Sequence, residues 1–379
     1  MNVLTMPQNA QIWLPALVRQ RARRYVSHRR SLRGVHVMFA IADHFEPFNG
    51  AVSEARADRR VAAWHDRYLA MAAGLVDTDG RRPQHSFFYP VEQYRDRHVD
   101  RLADLVERGG AEIEVHLHHD RDTSLNLRRT LVEFARVLHD RHGLLTRHHD
   151  GSIGYGFVHG NWALDNARPD GRQCGVDDEI SVLKSTGCYA DFTLPAVPDV
   201  SQTRIVNSIY YAIDDPHRCK SHDSGVPAIV RRPSPSNGLL MVQGPLCLTW
   251  SRRKYGVLPG IESGTLNYSP GHRPDGKRFR QWLDASVVVA GRPDWIFVKL
   301  HTHGAPEANA DVLLGPVMQE FHRSIQQQAI QHGMHLHYVT AREMANIIRA
   351  AEDGGTGNPG EYRDYWLPPP RRRRTSGSQ

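Results

Sequence analysis

Glu112-Ile-Glu-Val-His-Leu-His-His-Asp120 places three histidines and an acid at the end of a short alternating run. Ile113 and Val115 alternate with polar neighbours at the two-residue period of a β-strand, so His116 and His118 project to one side where the strand stops. Two imidazoles at that spacing suit one metal ion, although a chain with 23 histidines also clusters some by chance. Two further stretches shift the balance. Residues 35–42 form an apolar run closed by Asp43-His44, and residues 295–300 form another closed by His301-Thr-His303. Three strands that end in ligand-type residues describe the active face of an α/β enzyme.

Working outward, strand and helix patterns alternate. The segments 35–42, 85–89, 112–116, 153–158 and 188–193 read as strands, and 54–73, 100–108, 125–141 and 177–185 read as helices. Helices of that length between strands imply parallel pairing. Residues 195–272 break the rhythm with Pro, Gly, Ser and Asp, and read as a loop-rich insertion with short β-like runs at 204–213 and 238–242. Its Tyr210, Tyr211, Asp214, Lys220, His222 and Asp223 are candidates for a lid. Alternation resumes with helix 279–289, strand 295–300, helix 316–332, strand 335–339 and helix 341–352. About seven such units predict one barrel or strongly curved sheet over 35–353, flanked by a basic helical segment at 1–34 and a disordered basic tail at 354–379.

The composition narrows the function classes. With 379 residues and 40% hydrophobic content the chain suits a globular core, and no apolar run approaches the ~20 residues that cross a bilayer. Residues 1–10 lack the pattern of a secretory leader, which predicts a cytoplasmic protein. Cys174, Cys188, Cys219 and Cys247 are widely spaced without a CxxC pair and read as reduced thiols. Much of the net charge of +7 lies at the ends, in Arg19, Arg21, Arg23, Arg24, Arg29, Arg30 and Arg33 and in Arg371 to Arg374. Without aromatics between the charges, these read as solvated ends and not as a nucleic-acid surface. Ile12, Leu14, Leu17, Val18 and Tyr25 form one side of an amphipathic helix from residue 11 to about 28, which suits a membrane surface or a docking face in an assembly complex.

The order of these stretches resembles the polysaccharide deacetylase superfamily, the NodB-type carbohydrate esterases. The resemblance runs from about Val35 to Ile348. It rests on His85-Ser-Phe-Phe-Tyr-Pro90 followed by Leu105-Val-Glu-Arg-Gly-Gly-Ala-Glu-Ile-Glu-Val-His116, on Phe297-Val-Lys-Leu-His301, and on the closing Gly333-Met-His-Leu-His-Tyr-Val-Thr-Ala-Arg-Glu-Met344. It implies a distorted (β/α) barrel and a metal-dependent hydrolase, with zinc as the expected divalent ion, that removes acetyl groups from N-acetylated sugars of a polysaccharide or glycan precursor. Two departures stand out. The family's first motif usually ends in two aspartates, where this chain has Asp43-His44, and its second usually has two histidines four apart, where position 120 is Asp.

Carried over by position, Asp43 is the expected catalytic base and His301 the expected general acid. His44, His116 and His118 are the expected metal ligands, with His119 or Asp120 in reserve for His118 and Glu46 a further polar candidate. His159, Asn161 and Trp162 fall where the family's sugar site is lined, and His303 is expected to orient His301 or to touch the carbohydrate substrate. A glycoside hydrolase on a related barrel ranks lower, because it needs two carboxylates and Asp43 is the one strong acid at these strand ends. A catalytically inactive metal- or sugar-binding protein of polysaccharide assembly is the non-enzymatic alternative.

Overall fold

The computed structural model describes residues 6–26, 31–254 and 256–370. Arg29, Arg30 and Arg371 to Arg374, and the side chains of Arg23, Arg24 and Tyr25, lie outside the described residues. The strands are β1 (His36–His44), β2 (His85–Pro90), β3 (Ala111–Leu117), β4 (Thr146–Arg147), β5 (Ile153–His159), β6 (Cys188–Asp191), β7 (Ile209–Ile213), β8 (Val226–Pro227), β9 (Gly238–Val242), β10 (Cys247–Lys254), β11 (Leu258–Glu262), β12 (Thr265–Leu266), β13 (Trp295–Thr302) and β14 (His335–Tyr338). The helices are α1 (Ala10–Val26), α2 (Glu54–Met71), α3 (Asp96–Glu107), α4 (Ser124–Arg136), α5 (Glu179–Ser185), α6 (Phe279–Ala285), α7 (Glu307–Leu313), α8 (Pro316–His332) and α9 (Ala341–Glu352).

The fold is mixed α/β around one large, mostly parallel sheet of order β12-β13-β1-β2-β3-β5-β6-β9-β7-β8. The five strands expected to be neighbours, β13, β1, β2, β3 and β5, run side by side and parallel. β14 pairs with β1 over His36 to Phe39, and β2 pairs with it further along over Ala42 to His44. Local sequence accounts for the helices that cross between strands. Val61, Trp64, Tyr68 and Met71 form the buried stripe of α2 at helical spacing. α8 starts with Pro316 in its first turn and ends at Gly333 in the left-handed conformation, while α9 begins with a capping box between Thr340 and Glu343.

The two faces of the sheet bury different layers. Val37, Phe39 and Ile41 of β1 join Ile113, Val115, Ile296 and Val298 in a cluster with Val61 and Trp64 of α2, Leu102 of α3 and Phe321 of α8. The intervening Met38, Ala40 and Ala42 join Phe88, Val158 and Phe297 in a second cluster, packed on Met344, Ile347 and Ile348 of α9. Alternation along each strand therefore assigns one side chain to the outer helices and the next to the inner layer. α9 is buried on nearly every side, packed on the second layer of the sheet and bonded through Arg342 and Asn346 to Arg363 and Leu367.

Of the expected distorted barrel or strongly curved sheet, the large parallel sheet is present and a barrel is not shown: among the described residues no ladder joins β12 to β8, and an isolated bridge links Ile229, just past β8, to Ala290, just before β13. Three expectations are corrected. The segment 195–272 is more than an insertion of loops, because Ile209–Ile213 and Gly238–Val242 are apolar enough to extend the main sheet as β7 and β9. Tyr210 and Tyr211 are thereby buried, their hydroxyls donating to His222 O (2.8 Å) and to Glu352 (2.6 Å), so they do not form a lid. Residues 354–370 are ordered: Leu367 is fully buried, and Arg363 is paired with Asp77, Asp79 and Glu343. At the other end, Trp13 and Leu17 of α1 pack on Val206 and Leu246, while Val18 faces outward. No helix of the described residues is long and apolar enough to cross a membrane.

Candidate metal centre

β13, β1 and β3 end with the same local device. His44-Phe45-Glu46, His116-Leu117-His118 and His301-Thr302-His303 each set two polar side chains two residues apart around a buried middle residue. Extended backbone turns the outer two to the inner side and the middle one to the outer layer. The ring centroids of His44 lie 5.3 Å from His116, 4.9 Å from His303 and 6.2 Å from His301, and those of His116 and His118 are 4.6 Å apart.

Glu46 stands at the centre of the group. Its Oε1 lies 3.4 Å from His116 Nε2, 3.6 Å from His118 Nε2 and 3.8 Å from His303 Nε2, while Oε2 accepts from Asn49 at 2.7 Å. The far nitrogens of two rings are already engaged: His116 Nδ1 lies 2.8 Å from Val158 O, and His118 Nδ1 lies 2.6 Å from Glu92 Oε1. An acceptor behind Nδ1 holds the proton there and leaves the Nε2 lone pair for a ligand, the usual arrangement behind metal-bound histidine. His116 Nε2 and His44 Nε2 are both buried without a hydrogen-bond partner, but His44, expected as a ligand, is not among the residues whose ligand atoms converge, and Glu46 takes its place. Glu46, His116 and His118 bring their ligand atoms within 4.8 Å of one another, so these residues could hold a divalent metal.

The electrostatics keep this group ready for a cation. Burial, with His303, His116 and His301 alongside, pushes His44 well below the usual imidazole range. Burial alone would raise the Glu46 carboxyl, but the neighbouring His116 and His303 and the Asn49 amide outweigh it and hold it at about 2. His118 is pulled down by burial and raised more strongly by Glu92 and Glu46, for a net rise.

Asp43 occupies a different place from the one its motif suggests. It follows Ile41 on the outer side of β1, is fully buried, and has both oxygens engaged. Oδ1 accepts from the backbone N–H of Gly304 (2.6 Å) and Oδ2 meets His85 Nε2 (2.9 Å). The carboxylate that reaches the imidazoles is Glu46. His301 is on the inner side, with Nε2 2.8 Å from Thr265 Oγ1 and Nδ1 unpartnered. Burial, together with Lys299, His303 and Arg278, holds it well below the usual imidazole range.

A cleft of about 610 Å3 opens beside the group, lined among others by Trp162, Arg252, Asn267, His272, His301 and His303. Trp162 and His303 meet edge to face at 6.4 Å. Of the residues expected to line a sugar site, Trp162 and His303 are in this wall. Asn161 is exposed beside it, with a positive φ of 57°. His159 is corrected: it is fully buried and turned away, with Nε2 2.9 Å from His119 Nε2. His119 therefore belongs with His159 and is not a reserve ligand beside His116. Asp120 Oδ1 accepts from the backbone of Gln173 instead. Cys174, Cys188 and Cys247 are buried thiols and Cys219 an exposed one, with no disulfide among them.

Glu46 is a marginal candidate in the sequence, His85 and Cys174 carry no site role there, and Glu179 is not singled out at all. The signal for Glu46 was its two-residue spacing from His44, the same as in His116-Leu-His118. Compared with protein-family models and with curated proteins, the chain matches none.

Proposed function

We propose that this chain is a metal-dependent hydrolase that removes acetyl groups from N-acetylated sugars. The observation that carries the reading is the convergence of Glu46, His116 and His118 beside a cleft walled by Trp162, His301 and His303. Two histidines and one glutamate are a ligand set that zinc uses in hydrolytic centres, with a fourth position left for water. A divalent ion held by these three residues would lower the pKa of a bound water toward ~7 and polarise the substrate carbonyl.

The chain's own groups carry the remaining work. His303 is the imidazole on the cleft side of Glu46, its pKa lowered by burial against the opposing pull of Glu46 and Asp43, and it takes the proton of the attacking water at Nε2. The proton taken up at His303 Nε2 returns from there to the leaving amine, while neutral His301 offers its Nδ1–H, the nitrogen left open when Thr265 donates its hydroxyl hydrogen to Nε2, as a hydrogen bond to the substrate. Asp43, bonded to Gly304 N–H, fixes the turn that follows His303. Trp162 offers a flat face for a pyranose ring. The deacetylase specificity rests on the family resemblance of the strand-end motifs.

Acetate release from an N-acetylated oligosaccharide tests the reading. We expect release to stop in chelator and return on adding zinc. Release that ignores the chelator, or metal binding without release from any acylated glycan, would overturn it.

A further inference from the structure

We infer that the chain holds a second metal ion, a structural one, bound by His119, His159, Cys174 and Glu179 outside the cleft. The four ligand atoms lie within 4.8 Å of one another, and all four side chains are buried. His119 Nε2 is 2.9 Å from His159 Nε2 and 3.2 Å from Glu179 Oε1. His159 Nε2 is 3.5 Å from Glu179 Oε2, and Cys174 Sγ is 3.3 Å from the same oxygen. Tetrahedral zinc with two nitrogens, one sulfur and one oxygen needs ligand-to-ligand separations of about 3.3–3.7 Å, so small shifts of these side chains complete the site.

The outer contacts point the same way. His119 Nδ1 faces Asp122 Oδ2 at 3.2 Å, and His159 Nδ1 faces the carbonyl of Gly160. A carbonyl can only accept, so His159 Nδ1 carries a proton, and the carboxylate likewise keeps a proton on His119 Nδ1, which directs the Nε2 atom of each ring into the cluster. His119 Nε2 lies within reach of both His159 Nε2 and Glu179 Oε1, so a cation seated there would take the place of the proton that otherwise links these atoms. Carboxylate or carbonyl behind Nδ1 is the pattern that orients metal-bound histidine. The backbone N–H of Asp165 donates to Glu179 Oε2 (2.6 Å) and that of Asn166 to Cys174 Sγ (3.4 Å), which anchors the other two ligands. With a thiolate, two imidazoles and a carboxylate all supplied by protein, no position is left for water, as in structural zinc sites.

The ligands come from the ends of β3 and β5, from the loop before α5 and from the first residue of α5. One ion would tie the segment 160–178, which carries Trp162, to the sheet. The inference does not depend on the hydrolase reading, because no ligand is shared with the Glu46 group.

The test uses a signal that only a thiolate ligand gives. X-ray absorption at the zinc edge of the wild-type protein should show a sulfur scatterer at about 2.3 Å. The cobalt-substituted protein should show a thiolate-to-cobalt charge-transfer band in the near ultraviolet. Cys174→Ser should remove both signals and one equivalent of metal, while Cys247→Ser keeps them. His116→Ala should leave the sulfur signal untouched. Absence of sulfur from the zinc shell of the wild type, or a band that survives Cys174→Ser, would overturn the inference. The wild-type spectrum decides the matter even if a variant fails to fold.

Discussion

Asp43 and Glu46 are three residues apart, and the pleat of β1 separates their roles. Asp43 is spent on His85 and Gly304, whereas Glu46 faces His116, His118 and His303. Glu46→Gln is expected to weaken metal binding at least ~10-fold, because the amide oxygen is a poorer ligand and carries no charge. Asp43→Asn is expected to keep the ion and to lose about 1–3 kcal/mol of stability, since one buried amide N–H₂ then faces a hydrogen-bond donor. Titration with zinc and thermal melts separate the two; equal metal loss in both variants would make Asp43 a ligand. A glycine supplies a further check. A Cβ on Gly160 would fall 2.3 Å from His118 Cδ2 and 2.7 Å from Leu117 O, so Gly160→Ala should displace the His118 ring and lower metal affinity by ~10-fold or more. Unchanged affinity would show that His118 is not a ligand. Sequence made much of this group legible, because paired polar residues at strand ends carry a two-residue spacing. Cys174 and Glu179 carried no such signal: their partner His119 lies more than fifty residues away, and only the fold joins them.

At the scale of elements, strands were easier to read than their surroundings. β1, β2, β3, β5 and β13 are apolar runs with clear ends, and each was placed nearly as it lies. Helix 279–289 was drawn too long, because Ser286 adopts a left-handed φ of 45° and hands Val287 and Val289 to the inner layer. The run 195–272 hid two sheet strands, since short apolar stretches among Pro and Gly give no periodic signal. The tail was misread for a related reason: its few apolar residues pack through polar contacts that composition does not reveal. Asn346 binds the backbone of both Arg363 and Leu367, and Arg342 donates to Leu367 O while paired with Glu112. Ending the chain after Gly354 strips those partners and leaves Asp77 and Glu343 without Arg363. We expect a loss of about 3–5 kcal/mol of unfolding free energy, visible as a lower denaturant midpoint. An unchanged midpoint would mean that the tail is an ornament.

For the whole molecule, the count of alternating strands and helices suggests a barrel, and the structure shows one large, mostly parallel sheet with α9 buried on one of its faces. The inner layer that a closed barrel would fill with strand side chains is shared here with Met344, Ile347 and Ile348. The buried core also carries a pH signature. His322, packed against Phe39, Phe321 and Tyr338, is pushed down to about 3 by burial, with nearby His85 adding to the effect. Its unfolded form takes a proton near pH 6.5, so its contribution is complete above that pH and is lost as pH falls toward 3. Between pH 6.5 and 5 this amounts to about 2 kcal/mol. Unfolding free energy should fall less steeply over that range in His322→Phe than in the wild type, and identical slopes would contradict the assignment. The central claim is that Glu46, His116 and His118 form one metal centre at the strand ends. Anomalous scattering at the zinc edge from zinc-loaded crystals tests it most directly. The account predicts a peak within about 2.0–2.2 Å of Glu46 Oε1, His116 Nε2 and His118 Nε2. No peak between those three atoms, or a peak bonded to Asp43, would contradict it.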